Sequence, residues 1–373
     1  MLTQLEKEKR EKLKTHKPLV YDKVVRYDER YARGESVAVI QLQYDYACNM
    51  YCEHCSISGF RKKNILTRRH KGTKESQALN PEAVKDLCDQ ADEYGLAQID
   101  LTGGEPLIFP DLDEVISAIG PERFYLMVDT NGWEMTPDKA QHLKAIGVDK
   151  VQVGIDSLYR EQHDAFRRKP GSHDRAMHAI DAVRDAGLVL QVSTVITPER
   201  IRSEEFIAFL GLMGEKGAVV NSIWAKATGE YADHRLIVSA ADEALRMTLS
   251  RKFPHLTPPH ITQHWGTQMG CIAWKKIITI TKFGDVLPCI WIYYSLGNIF
   301  EEPLETILRR GAEYFSKHHG KCRTNRDAEF MDAYIRNTQG RELPIRIEDA
   351  EPKAATKTLR REEGLVFNKG KAL

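Results

Sequence analysis

From about residue 36 to residue 252 the chain alternates between apolar runs rich in Val and Ile and amphipathic stretches. The apolar runs predict six strands, at 37–44, 97–102, 124–130, 148–156, 188–196 and 218–225. Helical patterns separate them, and Gly147, Gly187 and Gly217 mark the points where a helix ends before the next strand. Repeated β-α units predict an α/β fold, either an open parallel sheet or a barrel, and six units favour a partial (β/α)6 TIM barrel.

The flanking segments differ from this repeat and divide the chain. Residues 1–35 are highly charged and predict a helical N-terminal lead-in to the barrel at 36–255. Residues 256–335 follow a Pro-rich linker and predict a small β-hairpin and helix domain, with the hairpin turning at 283–285. Residues 336–373 are polar, and we expect a mobile tail or a loosely docked segment there.

The charge balance narrows the class of partner. The 373 residues include 54 Lys and Arg against 53 Asp and Glu, whereas nucleic-acid-binding domains are usually strongly basic. The N-terminus lacks the apolar core of a signal peptide, and no run approaches the ~20 apolar residues of a membrane span. We therefore expect a cytoplasmic protein that binds neither membranes nor nucleic acid.

Three of the seven cysteines are clustered directly after the first predicted strand. Cys48, Cys52 and Cys55 form a C-x3-C-x2-C pattern at the carboxyl end of that strand, where β/α folds place their active sites. Three neighbouring thiolates can hold one soft metal centre. A zinc ion bound by these cysteines and His54 is one interpretation. A four-iron cubane with one iron left open is the other.

A glycine pair follows the second predicted strand. In Leu101–Pro106, Gly103 and Gly104 let the backbone pass close to a ligand, ahead of Glu105 and Pro106. Glu105 is of the right charge to orient a cationic amino group. A simple strand-to-helix turn is the alternative.

The cysteine pattern, followed one β-α unit later by GGEP, resembles the radical S-adenosylmethionine (SAM) superfamily. The resemblance implies that Cys48, Cys52 and Cys55 bind a [4Fe–4S] cluster whose open iron chelates the amino and carboxylate groups of SAM. It implies that Gly103–Pro106 contact SAM, and that reductive cleavage of SAM yields a 5′-deoxyadenosyl radical. His54 stands where the superfamily often has an aromatic residue.

Later strand ends supply weaker candidates for SAM contacts. By the same resemblance these are Thr130, Asn131, Asp156, Ser157 and Ser193, with Thr194 as a further candidate. Gly154 stands where the family's fourth strand often has a serine, so ribose binding would depend on Asp156 and Ser157. A turn or strand-end role is an equal alternative for each.

A second set of cysteines brackets the predicted hairpin. Cys271-x12-Gly284-x4-Cys289, followed by Cys322, resembles the auxiliary iron–sulfur domain called SPASM or its shorter twitch form. The resemblance implies one further [4Fe–4S] cluster, because the cysteines are too few for two. Its fourth iron would be open or bound by a non-cysteine side chain, with His318, His319, Asn325 and Asp327 as candidates. A zinc ribbon or unligated cysteines are the alternatives.

Two further features have both a plain and a functional interpretation. Cys88 lies on the apolar side of its predicted helix, as a small buried hydrophobe or as a donor of hydrogen atoms. Seven basic residues follow the first cysteine cluster: Arg61, Lys62, Lys63, Arg68, Arg69, Lys71 and Lys74. The alternative interpretations are a solvated surface, a surface that attracts an anionic substrate, and a docking site for an acidic reductant of the flavodoxin or ferredoxin type.

These features together predict a radical SAM oxidoreductase that dehydrogenates a small polar natural-product precursor, such as an aminosugar or a nucleoside. A maturase or epimerase acting on a ribosomally made peptide is the alternative within the superfamily. A non-catalytic zinc or iron–sulfur binding module is the alternative of another class, and the GGEP motif argues against it.

Overall fold

The computed structural model of this chain describes residues 4–33, 37–61, 77–229, 237–257, 271–315 and 322–350. Within those ranges, none of the helices has both the length and the apolar character that crossing a membrane requires.

The strands confirm the predicted repeat. Their bounds are β1 Val39–Asp45, β2 Gln98–Gly103, β3 Tyr125–Thr130, β4 Lys150–Gly154, β5 Val189–Ile196, β6 Val219–Trp224, β7 Ile277–Ile280, β8 Val286–Leu287, β9 Tyr294–Ser295 and β10 Ile345–Arg346. Strands β1 to β6 pair in parallel and in sequence order, and their bounds lie within two residues of those predicted. A parallel sheet of consecutive β-α units is therefore the core of the molecule.

Helices connect and cover the strands. Their bounds are α1 Gln4–His16, α2 Pro18–Ala32, α3 Ser58–Arg61, α4 Pro81–Tyr94, α5 Leu112–Ile119, α6 Pro137–Ala145, α7 Arg160–Arg167, α8 Ser172–Asp185, α9 Glu204–Glu215, α10 Ala240–Lys252, α11 Leu304–Phe315, α12 Arg323–Arg326 and α13 Ala328–Thr338. Helix α4 shows how the sequence sets these bounds. The Asn80 side chain accepts a hydrogen bond from the Ala83 amide at one end, and Gly95 adopts a left-handed conformation (φ +90°) at the other.

The predicted C-terminal hairpin forms, and it pairs with the barrel sheet. Strand β7 pairs in parallel with β1, with Val39 opposite Ile277 and Leu42 opposite Ile280, and β8 pairs antiparallel with β7. The sheet of the described residues therefore has eight strands, in the order β6-β5-β4-β3-β2-β1-β7-β8. The hairpin thus continues the barrel sheet, and the expected division into domains stays a prediction.

The charged N-terminal lead-in forms helices α1 and α2, which lie at the amino ends of the strands. Lys17 donates to the Phe124 carbonyl just before β3 and pairs with Asp149 just before β4. Tyr27 donates to the Lys275 carbonyl just before β7. Both helices thus lie at the opposite end of the sheet from Cys48.

The C-terminal prediction is wrong for the part of the tail that the structure describes. Residues 336–350 do not form a loose segment, because β10 pairs with β9 and Ile345, Ile347 and Ala350 are buried in the main core. Apolar side chains at alternate positions account for this packing, although the segment is polar on average. Residues 351–373 lie outside the described part.

Candidate functional site

The segment that carries the first cysteine set (Cys48, Cys52 and Cys55) begins at the carboxyl end of β1. Asp45 accepts a hydrogen bond from the Ala47 amide at 2.7 Å and pairs with Lys282, which follows β7, at 2.5 Å. The three cysteines form no disulfide within the described residues and are partly buried. The start of the cysteine segment is therefore anchored both to its own strand and to the hairpin strand beside it.

The glycine pair lies directly against this segment. The Gly104 amide donates to the Asp45 carbonyl at 2.7 Å and the Glu105 amide donates to the Ala47 carbonyl at 2.8 Å. A Cβ atom at Gly104 would lie 1.8 Å from the Ala47 oxygen, and one at Gly103 would lie 2.3 Å from the Asp45 oxygen. Only glycine permits this approach, so the GGEP turn fixes the backbone that leads into Cys48.

Two other elements support the rest of the segment. The Glu53 amide donates to the Phe166 carbonyl of α7, and the ring of His54 stacks on the Phe166 ring at 4.7 Å between centroids. On the other side, a Cβ atom at Gly229, after β6, would lie 2.0 Å from the Glu53 carbonyl oxygen. His54 thus fills the aromatic position of the family pattern by ring stacking.

Arg167, which the sequence analysis did not single out, lies beside Cys52. Its guanidinium is 3.9 Å from the Cys52 sulfur and makes contacts of 2.7 and 2.6 Å with Asp156 Oδ2. Burial raises the pKa of the Cys52 thiol, and the positive charge of Arg167 opposes that rise. Burial alone would also raise the pKa of Asp156, but Arg167 holds it well below its usual range.

The departure of Gly154 from the family's serine has a structural reason. A Cβ atom at this position would lie 2.5 Å from the Arg167 guanidinium. The absence of a side chain therefore leaves the space that Arg167 occupies. Asp156 Oδ1 accepts from the Val195 amide at 2.9 Å, so both of its oxygens already have partners within the chain.

Glu105 joins the glycine turn to the end of β3. Its carboxylate accepts hydrogen bonds from the Thr130 hydroxyl at 2.6 Å, the Asn131 amide at 2.7 Å and the Leu107 amide at 3.1 Å. Burial raises the pKa of Glu105 to about 7, although these donors favour the charged form. The predicted contact of Glu105 with an amino group stays a prediction, and the visible role of this residue is to join two turns.

The other predicted SAM contacts differ in their relation to the cysteine segment. Asn131 donates to Asn49 at 2.7 Å and lies 4.0 Å from the Cys48 sulfur. Ser157, in contrast, donates to Gln162 at 3.1 Å and accepts from the Tyr159 amide. Ser193 lies on β5 opposite Gly154, and Thr194 accepts from Arg200 at 2.6 Å. The contacts therefore place Asn131 and Asp156 beside the cysteines, but not Ser157 or Thr194.

The second cysteine set (Cys271, Cys289 and Cys322) comes together from distant parts of the chain. Burial, together with the charges of Cys271 and Cys322, raises the pKa of Cys289 to about 12. Burial also opposes ionisation of Cys322, but the ammonium of Lys226, 3.4 Å from its sulfur, lowers its pKa. Mutual charge effects of this kind require that the three sulfurs lie close together.

Lys226 is the residue of this second set that sequence reasoning missed. It follows β6, is buried, and contacts both Cys322 and the Asn325 side chain. Asn325 also donates to the Ala225 carbonyl at 2.8 Å, and Asp327 pairs with Arg323 and caps α13. Two of the predicted fourth ligands thus already have partners in the chain, and the other two, His318 and His319, lie outside the described residues.

Tyr293 lies between the two cysteine sets. Its hydroxyl donates to the Ser56 carbonyl at 2.5 Å, next to Cys55, and its amide donates to the Tyr334 hydroxyl. Burial raises the pKa of Tyr293, and the charges of Cys55 and Cys289 both raise it further. One aromatic side chain is therefore close to cysteines of both sets.

The donor set suits iron–sulfur chemistry at both places. Within the described ranges, no three His, Cys, Asp or Glu side chains converge closely enough to hold a single metal ion. Each thiolate of a cubane binds a different iron and does not need such convergence. Thiols next to the cationic side chains Arg167 and Lys226 are the ligand chemistry that a cluster requires.

The remaining candidates lie away from this site. Cys88 is fully buried on α4 in the main core, and burial raises the pKa of its thiol to about 12. This position corrects the hydrogen-donor interpretation, because the thiol is enclosed by the core. The basic run at 61–74 lies outside the described residues, apart from the backbone of Arg61.

Curated relatives match most of the chain. An AdoMet-dependent heme synthase of Nitratidesulfovibrio vulgaris is 28% identical over 74% of this chain and 81% of its own length. The mycofactocin maturase MftC of Mycolicibacterium smegmatis is 27% identical over 75% of this chain and 72% of its own length.

Solved structures share the fold. Streptococcus suis SuiB bound to S-adenosylmethionine has a TM-score of 0.60 at 14% identity, covering 89% of this chain and 82% of that chain. The structure described as native anSMEcpe with bound AdoMet has a TM-score of 0.52 at 13% identity, covering 74% of this chain and 81% of that chain.

Two family models match consecutive parts of the chain, and together they span more than half of it. Residues 45–210, which contain the first cysteine set and the glycine turn, match the radical SAM superfamily. Residues 271–327, which contain the second cysteine set, match the iron–sulfur cluster-binding domain called SPASM. The two domain types indicate [4Fe–4S] clusters. The chain thus carries a radical SAM domain followed by a C-terminal SPASM iron–sulfur domain, the domain pair of a radical SAM enzyme.

Proposed function

We propose that this radical SAM enzyme oxidises a polar substrate by removing a hydrogen atom at the first cysteine set and an electron towards the second. Cys48, Cys52 and Cys55 would hold a [4Fe–4S] cluster, and Cys271, Cys289 and Cys322 a second one. The observation that carries the proposal is that two elements contact both sets. Tyr293 lies near Cys55 and Cys289, and the segment after β6 packs against Glu53 through Gly229 and against Cys322 through Lys226.

When SAM is bound at a reduced cluster, it supplies methionine and a 5′-deoxyadenosyl radical that can take a hydrogen atom from a substrate. The chain's own part is to position the groups involved. The glycine turn and Asn131 hold the Cys48 end of the segment, and Arg167 holds a positive charge beside Cys52. Gly103–Pro106, Thr130, Asn131, Asp156, Ser157 and Ser193 remain the proposed surroundings of SAM.

The second cysteine set favours net oxidation over a redox-neutral reaction. A substrate that has lost a hydrogen atom must lose one more electron and a proton to become a dehydrogenated product. An auxiliary cluster can accept the electron, and the proton passes to a base or to solvent. Lys226 lies against Cys322, where its positive charge would stabilise added negative charge. A reductant of the flavodoxin or ferredoxin type would supply the electron that the first cluster needs.

A small polar molecule is the first candidate for the substrate. In the described residues, the helices that precede the barrel lie at the amino ends of the strands, so α1 and α2 are not placed to present a peptide to the site. Peptide maturation is the second candidate. It is supported by the similarity to the mycofactocin maturase and by the solved structure of SuiB with its precursor peptide SuiA.

The test is the formation of 5′-deoxyadenosine by the anaerobically reconstituted enzyme with SAM and dithionite. We expect product from the wild type and none from Cys48→Ala, Cys52→Ala or Cys55→Ala. Cys88→Ala is the matched control, since it removes a thiol that is enclosed in the core, and it should retain product formation. A wild type loaded with iron that releases no 5′-deoxyadenosine would contradict the proposal.

A further inference from the structure

The two faces of the sheet differ sharply in chemistry. On β1, β2 and β3 the side chains of one face belong to the apolar core beneath the helices, such as Leu42, Leu101 and Val128. Successive side chains of a strand point to opposite faces, and most alternate positions on the other face are polar, with Val39 and Met127 as apolar exceptions. The enclosed face of this barrel-like sheet is therefore rich in amides, hydroxyls and carboxylates.

One row of this polar face runs straight across five strands. We call it the polar row, and its members are Gln43, Thr102, Asp129, Gln152 and Gln191. In the sheet register Gln43 lies opposite Thr102, Asp129 opposite Gln152, and Gln152 opposite Gln191. Thr102 and Asp129 immediately precede the turns that carry the proposed SAM contacts, so the row lies one layer below the candidate active site.

Hydrogen bonds connect the row from β2 to β6. Thr102 and Asp129 are hydrogen-bonded, and Gln152 donates to Asp129 at 2.8 Å. Gln191 and Asn221 both donate to Gln152, the latter at 3.1 Å. Because Asn221 lies on β6, two strands away from Gln152, the sheet must curve so that this face is concave.

Gln43 is the exception in the row. Its side chain is completely buried, and neither its Oε1 nor its Nε2 has a hydrogen-bond partner among the described residues. Leaving a buried amide unpaired costs about 1 to 3 kcal/mol. Buried polar groups almost always have partners, so an unpaired one beside a candidate active site points to a ligand group.

We propose that Gln43 and Asp129 form the part of the substrate site that selects a hydroxyl or amino group. This inference rests on the proposed function and names the substrate chemistry that the site takes. An amine can donate to both Gln43 Oε1 and the Asp129 carboxylate. A hydroxyl has one hydrogen, so it can donate to the Asp129 carboxylate while it accepts from Gln43 Nε2. In either case one small group gives both side chains a partner.

The same geometry disfavours a carboxylate at this position. A carboxylate only accepts hydrogen bonds, so it could not pair with Gln43 Oε1. Above about pH 7, where Asp129 is ionised, it would also face a like charge. Asp100, one layer deeper on β2, is a second acidic group near Asp129. The positive charge of Lys150 interacts with both Asp100 and Asp129. The site chemistry is thus that of an amino- or hydroxyl-bearing compound, or of a lysine or serine side chain in a peptide.

The test compares Gln43→Leu with the wild-type holoenzyme in thermal unfolding, with and without probes. The probes are glucosamine, a capped Ser-Lys dipeptide and succinate. Wild type should be stabilised by glucosamine or by the dipeptide, which separates a small-molecule source from a peptide source, and not by succinate. Gln43→Leu should bind the stabilising probe at least about ten-fold more weakly, the equivalent of one or two lost hydrogen bonds.

Without a probe, Gln43→Leu should unfold at the same or a higher temperature, because it removes an unpaired buried amide. Gln41→Met is the matched control on the same strand and face. Gln41 Oε1 accepts from Thr279 at 3.2 Å, so its loss should lower the unfolding temperature but leave probe binding unchanged. Gln43→Leu should therefore keep its stability and lose probe binding, whereas Gln41→Met should lose stability and keep probe binding.

Three results would overturn the inference. The first is a Gln43→Leu variant whose unfolding temperature falls as much as that of Gln41→Met. The second is probe binding by Gln43→Leu that equals wild-type binding. The third is a wild type that binds succinate, or that binds none of the probes. Formation of 5′-deoxyadenosine from SAM is measured in the same preparations. If the wild type forms it but fails the probe test, the substrate inference alone is wrong; if the wild type forms none, the proposed function is wrong.

Discussion

At the scale of single residues, Arg167 and Gly154 depend on each other. The arginine contacts Cys52 and Asp156 because no side chain at Gly154 occupies that space. Asp156 is 7% exposed, so its charge is not screened by water and requires the guanidinium beside it. A residue outside the family motif thus stabilises the charge next to one of the proposed cluster ligands.

Replacing Arg167 tests this dependence. Arg167→Gln should lower the free energy of unfolding by about 3 to 5 kcal/mol, because it leaves the Asp156 carboxylate buried without a partner. Denaturant unfolding and iron per chain are the measurements. Arg160→Gln on the same helix breaks an exposed pair with Asp174 and should cost less than about 1 kcal/mol. Equal effects of the two substitutions would contradict this role of Arg167.

The buried carboxyl group of Asp129 makes the free energy of unfolding depend on pH. Burial, and then the charge of Asp100, raise its pKa from 3.8 to about 7 in the folded chain. The folded state then holds a proton that the unfolded state has lost, so stability falls as the pH rises from about 4 to about 7.

Asp129→Asn removes this proton from the folded state. The free energy of unfolding of the variant should depend less on pH over that interval, with a slope smaller by up to about 1.4 kcal/mol per pH unit. Urea unfolding across the interval measures this slope, with the exposed Asp138→Asn as control. A variant whose slope equals that of the wild type would show that Asp129 is not the group responsible.

The sequence predicted the residues that form a local pattern and missed those that do not. The first cysteine set and the glycine turn are readable because their spacing is short. Lys226 and Cys322 are 96 residues apart, and Gln43 differs from other strand glutamines only in lacking a partner. Such contacts depend on the tertiary fold and leave no signal in the local sequence.

At the scale of elements, the six barrel strands could be predicted because their apolar runs and glycine-terminated helices repeat. The pairing of β7 with β1 could not, since the two strands are separated by more than 230 residues and neither sequence specifies its neighbour. The C-terminal segment was mistaken for a tail because few apolar residues anchor it. Average polarity is a poor guide where three buried side chains suffice.

Helix α2 gives a prediction at this scale. Lys17 at its start donates to the Pro121 and Phe124 carbonyls at 2.7 and 3.0 Å and pairs with Asp149. Lys17→Met should lower the free energy of unfolding by about 2 kcal/mol, because charged hydrogen bonds to three acceptors are lost. It should not change iron content or 5′-deoxyadenosine formation, since α2 lies at the far end of the strands. Loss of iron in this variant would contradict the placement of α2 at the end of the strands far from the first cysteine set.

At the scale of the whole molecule, the C-terminal part continues the sheet of the N-terminal part. Strand β7 extends the sheet beyond β1, Lys282 after it pairs with Asp45 ahead of Cys48, and Tyr293 contacts Ser56. The hairpin that Cys271 and Cys289 bracket is thereby joined to the strand that leads into Cys48 and to the segment that follows Cys55. This arrangement suits transfer of an electron from a substrate bound near one set to the other.

The most direct test is the number of iron atoms per chain after anaerobic reconstitution. The comparison is between wild type, Cys48→Ala/Cys52→Ala/Cys55→Ala and Cys271→Ala/Cys289→Ala. Two cubanes predict about eight irons in the wild type and about four in each variant. About four irons in both the wild type and the Cys271→Ala/Cys289→Ala variant would contradict a second cluster, and with it the oxidative reaction.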